Sequence, residues 1–120
     1  MDAKNKELLL KDLNARLPYG VKIELTWWVM GEGTYINTTL EPDHIEQLLN
    51  DEDGDTEIKP YLRPMSSMTD EEKEEYCQLQ QKVVNEDVTK YINYCYKKHL
   101  DINNLIHIGL AIDATNLNLY

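Results

Sequence analysis

Lys59-Pro60-Tyr61-Leu62-Arg63-Pro64 is followed by Met65-Ser66-Ser67-Met68 and then Thr69-Asp70-Glu71-Glu72. This run restricts the fold more than any other part of the chain. Each proline fixes its own φ and pushes the residue before it towards extended backbone, so Tyr61 to Arg63 is barred from helix. Thr69 and Glu72 stand at the spacing of a capping box, in which the hydroxyl takes the amide three residues on and the carboxylate reaches back to the cap amide. An extended arm, a turn and a helix start are thus written in one stretch. None of it carries reactive chemistry.

The rest of the chain reads around that arm. Ala3 to Leu17 is a helix on its Leu9, Leu13 and Leu17 spacing, with Leu10 beside them and Pro18-Tyr19-Gly20 as its stop. Val21 to Met30 alternates. Val21, Ile23, Leu25, Trp27 and Val29 share one face; Lys22, Glu24, Thr26, Trp28 and Met30 share the other. Gly31-Glu32-Gly33 is a turn and Thr34 to Leu40 a second strand. A three-residue loop would set Trp27 against Asn37 and lose the apolar face. A loop of two residues on Glu32-Gly33, or of four, keeps it by pairing Val29 with Ile36, Trp27 with Thr38 and Leu25 with Leu40. The other face then sets Trp28 against Asn37 and Met30 against Tyr35. Pro42 to Leu49 is a short helix with Ile45, Leu48 and Leu49 on one side. Thr56 to Leu62 is a third strand, confined by its prolines to an edge or to strand ends. Asp70 to about Lys82 is the capped helix. A further helix from about Asn85 to His99 buries Val84, Val88, Tyr91, Ile92 and Cys95. Beyond it, Asp101 caps a short helix with Leu100 and Leu105 as its staple, while the alternation Ile106, Ile108, Leu110, Ile112 offers a strand instead. Strands grouped ahead of a helical half give an α+β fold: a small antiparallel sheet of about three strands with helices packed on one face.

At 120 residues the chain is expected to form a single domain, 1–120. A net charge of −10 argues against direct nucleic-acid binding and against an anionic membrane surface. It suits a solvated surface or a basic protein partner. No apolar run approaches the ~18 residues of a membrane span, and Lys11 and Asp12 break the leucines of the N-terminal segment, so a cytoplasmic location is expected. That compartment keeps Cys77 and Cys95 as thiols.

Chemistry-bearing patterns are thin. Cys95 and His99, four apart, make half a metal site, and His44, His107 and Cys77 add no ligand spacing. No metal and no cofactor are expected. The acidic stretch Asp51 to Glu57 puts Thr56 where a calcium loop needs glycine and Leu62 where it needs glutamate. Nucleophile signatures and phosphate-cradling glycine loops are absent, so no catalytic residue is named. The aromatic face of the first hairpin is the functional candidate. Trp28, Met30 and Tyr35 cluster there, and such residues are enriched in interface cores.

Lys6-Glu7-Leu8-Leu9-Leu10-Lys11-Asp12-Leu13, Ala15-Arg16-Leu17-Pro18-Tyr19-Gly20-Val21 and Tyr61-Leu62-Arg63-Pro64-Met65-Ser66-Ser67-Met68-Thr69, with Gly109-Leu110-Ala111 in the tail, give the chain a likeness. It resembles a family of small uncharacterised proteins from gut anaerobic bacteria and their phages or mobile elements. The resemblance implies an origin and brings no activity or site residue with it. The expectation is a small cytoplasmic interaction module, non-catalytic, that meets a protein partner or itself through the Trp28 face. The alternatives are an acidic inhibitor occupying a nucleic-acid site on a host protein, and an enzyme with an unrecognised acid–base pocket.

Overall fold

The computed structural model describes residues 3–29, 32–51, 56–81 and 89–120. Helix α1 (Ala3–Arg16) passes into a single tight turn at Leu17–Tyr19, and Gly20 ends it at φ 68°, a conformation that costs glycine nothing. Strands β1 (Lys22–Val29) and β2 (Glu32–Thr39) form a hairpin, helix α2 (Pro42–Leu49) follows, and β3 (Thr56–Leu62) returns beside β1. Helices α3 (Asp70–Gln81) and α4 (Thr89–Lys97) come next, and a two-residue strand β4 (Ile112–Asp113) closes the order. The fold is α+β, with a sheet ordered β2-β1-β3-β4. Three strands are antiparallel, and β4 adds a parallel pairing with Tyr61 and Leu62.

One face of the sheet carries the core. Ile23, Leu25 and Ile58 project there and meet Leu9 and Leu13 of α1, Leu48 of α2, and Leu105 and Leu110 from the tail. Each such side chain contributes about 1.5–3 kcal/mol by leaving water. The buried stripe of α1 is Leu9, Asp12, Leu13 and Arg16, rather than one running on to Leu17, which is half-buried. On α2 only Leu48 is buried; Leu49, expected beside it, is 61% exposed. On α4, Cys95 is buried and Tyr91 and Ile92 half-buried, while Val84 and Val88 lie outside the described residues.

The hairpin register differs from the expected one by four residues. Leu25 pairs with Ile36, Trp27 with Thr34 and Val29 with Glu32. Two residues, Met30 and Gly31, therefore separate the strands, and Glu32-Gly33 belongs to β2. The shift is even, so each residue keeps its expected face. That is why the apolar pattern could not separate the two registers: it fixes the side and leaves the slide along the strand open.

Leu40 N–H donates to Val21 O at 2.9 Å, which sets the phase of the ladder. Hydrogen-bonded pairs alternate along an antiparallel pair. Even-numbered residues of β2 thus bond to β1, and the backbone of Gly33, Tyr35, Asn37 and Thr39 points away from it. By the same count Pro60 of β3, paired with Ile23, has its nitrogen turned away from β1, so the ladder loses nothing by the missing N–H.

The capping box is present in both halves. Thr69 N–H donates to Glu72 Oε1 (2.9 Å) and Glu72 N–H to Thr69 Oγ1 (3.1 Å). After α4 the chain bends through Leu100, which bridges Arg63 in parallel. The expected short helix after Asp101 is replaced by successive turns. The Asp101 carboxylate still takes the amides of Leu105 (2.8 Å) and Ile106 (3.0 Å), so it caps a turn that carries the buried Leu105 and leads to the buried Leu110.

Candidate functional site

The sheet face opposite the core carries Lys22, Glu24, Thr26 and Trp28 from β1, with Glu57, Lys59 and Tyr61 alongside on β3. Tyr35, Asn37 and Thr39 flank them on β2. Trp28 pairs with Gly33 and Tyr35 with Thr26, so the two aromatics occupy diagonal positions on one face. Diagonal neighbours stand roughly 7–8 Å apart, within reach of rings. The expected pairs Trp28–Asn37 and Met30–Tyr35 are not formed. Met30 lies outside the described residues, as do the side chains at 28 and 35. Between these positions Thr26 is only 3% exposed.

The middle of this face is polar and ordered. Tyr61 OH donates to Asn37 Oδ1 at 2.8 Å and lies 3.4 Å from Glu24 Oε2. Burial, then the neighbouring Glu24 charge, push the Tyr61 phenol above its ordinary value. Lys22 Nζ donates to Thr39 Oγ1 at 2.8 Å.

At the far end the tail crosses the same face. Leu117 and Leu119 line a cavity of about 570 Å³ with Lys22, Asn37 and Tyr61. The Tyr120 hydroxyl ties two of these residues together: it accepts Lys22 N–H (2.7 Å) and donates to Tyr61 O (2.8 Å). Lys22 and Tyr61 would be the next hydrogen-bonded pair of the β1–β3 ladder. The phenol is inserted between them as a relay. Its ring stacks on His99, 3.7 Å between centroids and 14° from parallel.

Under this tail lies a buried ionic cluster that sequence reasoning missed. Asp12 and Arg16 are fully buried and paired at 2.6 Å. Asn103 donates to Asp12 (2.8 Å), Arg16 donates to Leu100 O (2.8 Å), and the guanidinium sits 4.8 Å from the centroid of the Tyr96 ring. The signal was available: 9, 12, 13 and 16 is a complete helical stripe, and an acid and a base four apart on it can satisfy each other.

Titration shifts in this region follow burial. Desolvation, opposed by the Arg16 charge, raises the Cys95 thiol to about 11. Desolvation and the charges of Arg16, Arg63 and Lys22 lower His99 to about 4. Burial lifts Tyr120 to about 12. Each group is held neutral, which suits packing better than proton transfer near neutrality. Cys77 is exposed, and both thiols are free. Among the described residues no three His, Cys, Asp or Glu side chains converge as a metal site.

A second cavity, about 510 Å³, lies between α1, α2 and β3 with Leu9, Leu48, Ile58 and Leu110 at its base. Lys6 Nζ at its rim donates to Asp51 O (3.1 Å), and Lys59 pairs with Glu57 (3.1 Å). Among the described residues its lining holds no cysteine, histidine or serine. It can admit a ligand, and the polar side chains at its wall include Lys6, Thr56, Glu57 and Lys59. No described helix is long and apolar enough to cross a membrane.

No family model, curated protein or solved structure matches the chain.

Proposed function

We propose that this protein is a small, non-catalytic interaction module that acts inside the cell and docks a protein partner on the outer face of its sheet. The observation that carries the reading is the cross-strand placement of Trp28 and Tyr35 on the face opposite the core, next to the polar row of Glu24, Asn37 and Tyr61. The helices that complete the core lie on the other side. A face with aromatics at one end and an ordered polar middle has the make-up of an interface centre with its rim. With a net charge of −10, a basic partner suits it best. The likeness to small proteins of gut bacteria and their mobile elements supports such an origin.

Trp28→Ala tests this. Stability should change little, and capture of the partner from native extract should weaken by about 2 kcal/mol or more, the loss of a hot-spot ring. If instead the isolated protein loses about 3 kcal/mol or more of stability, Trp28 is a core residue and the reading falls.

A second reading, an acidic decoy for a nucleic-acid site, has one observation in its favour. Helix α3 exposes Asp70, Glu71, Glu74 and Glu75 and has no buried residue. Charge reversal along α3, with Trp28 intact, should abolish binding under that reading and, under the first, weaken it only through lost long-range attraction, an effect that salt should mask.

A further inference from the structure

The two sides of the sheet are treated differently. Along β3, the free side is blunted by Pro60, which offers no N–H, by the charges of Glu57 and Lys59, and by β4 over Tyr61 and Leu62. These are the devices by which proteins keep a sheet edge from pairing. Strand β2 has none of them. It runs eight residues, Glu32–Thr39, with one charge, at its end, and no proline or lysine. Among the described residues only β1 pairs with it. Its outward backbone groups belong to Gly33, Tyr35, Asn37 and Thr39, each with its N–H.

We infer that β2 pairs antiparallel with β2 of a second copy of this chain, making one continuous sheet across a two-fold axis at Ile36. This goes beyond the outer-face reading and does not depend on it.

The sequence selects the second copy as occupant. Aligned about Ile36, the outward residues meet as Gly33 with Thr39 and Tyr35 with Asn37 of the other copy. Ile36 meets itself, and Thr34 meets Thr38. This register overlaps the strand from Gly33 through Thr39, and Glu32 falls opposite Leu40. No carboxylate faces another along the seam, although each chain carries a net charge of −10. Like charges directly opposed would disfavour pairing, so the uncharged strand is where two such acidic chains can meet.

Sedimentation over a concentration series, with proline variants of alternating phase, tests the inference. Wild type should reach the mass of two chains. Asn37→Pro removes an outward N–H, and with it the side-chain acceptor of Tyr61 OH, while leaving the bonds to β1; Asn37→Ala removes that acceptor alone. The proline variant should melt as a folded protein and sediment as one chain, and the alanine variant should sediment as two. Thr38→Pro removes an N–H given to β1 and should unfold the hairpin. If Asn37→Pro also unfolds, cross-linking decides. Thr34→Cys and Thr38→Cys chains, each with Cys77→Ser, should form a disulfide under mild oxidation when mixed and not when separate. A wild type that stays a single chain at its highest soluble concentration overturns the inference, including the case where β2 instead captures a strand of another protein. A dimer that survives in folded Asn37→Pro, or mixed chains that do not cross-link, also overturns it. Loss of partner capture in Trp28→Ala with the dimer intact separates this surface from the outer face.

Discussion

Arg16 makes the most exacting demand of any single residue. Its guanidinium is wholly buried, satisfied by Asp12, by the carbonyl of Leu100 and by the face of Tyr96, and its Nη1 has no hydrogen-bonding partner among the described residues. Burying a charge pair gives little net stability, because desolvation offsets the attraction. Removing one member is different: the survivor is left charged in a dry site. Arg16→Met should therefore cost about 3–5 kcal/mol in chemical denaturation, and Asp12→Met combined with Arg16→Met should recover most of that. Equal losses in the single and double variants would mean that packing of the Arg16 stem, rather than charge, is what the core needs. The leucine spacing does not reveal the stripe at this residue, because an acid and a base four apart on a helix read equally well as a surface pair.

Among the elements, α3 depends most on its first turn. Thr69 caps it, and the same Glu72 that completes the box also takes Arg63 in a two-pronged pair at 2.7 and 2.9 Å. The cap thereby fixes the helix to the end of β3. Thr69→Ala should lower stability by about 1 kcal/mol, the ordinary worth of an N-cap. Glu72→Gln should cost more, since it also loses the charged pair, and melting curves of the two variants side by side would establish the order. This element was legible because prolines, cap and carboxylate act within a few residues of one another. The same holds for α2 and β3, whose limits agree with expectation. The hairpin slide and the tail were not legible. Their settings depend on contacts far along the chain: Leu105 and Leu110 are drawn into the core, and Tyr120 is wedged between Lys22 and Tyr61. The face of Trp28 and Tyr35 could be read from alternation alone, but their cross-strand neighbours could not.

For the molecule as a whole, acid should lower stability in two steps. The pKa of His99 is lowered from 6.5 to about 4 by burial and nearby cations, and that of Glu72 from 4.5 to about 2 by its bond to Arg63. A depressed folded-state value adds stability above the group's ordinary value and loses it as pH falls towards the folded one. The His99 contribution should thus begin to fade below pH 6.5, and the Glu72 contribution below pH 4.5. Melting temperature against pH for His99→Gln should lack the first decline, and for Glu72→Gln the second. One further consequence follows from how the core is assembled. Its inner layer joins Leu9 and Leu13 to Leu105 and Leu110, and the Arg16 bond to Leu100 spans 84 positions. A chain emerging from the ribosome can zip the β1–β2 hairpin early and cover it in part with α1 and α2, yet the apolar face is complete only once Leu105 and Leu110 have emerged. That last layer is therefore added late, and until then part of the face of Ile23, Leu25 and Ile58 should stay open to neighbouring nascent chains. Mutual repulsion between chains that each carry a net charge of −10 would oppose such encounters before the fold is complete.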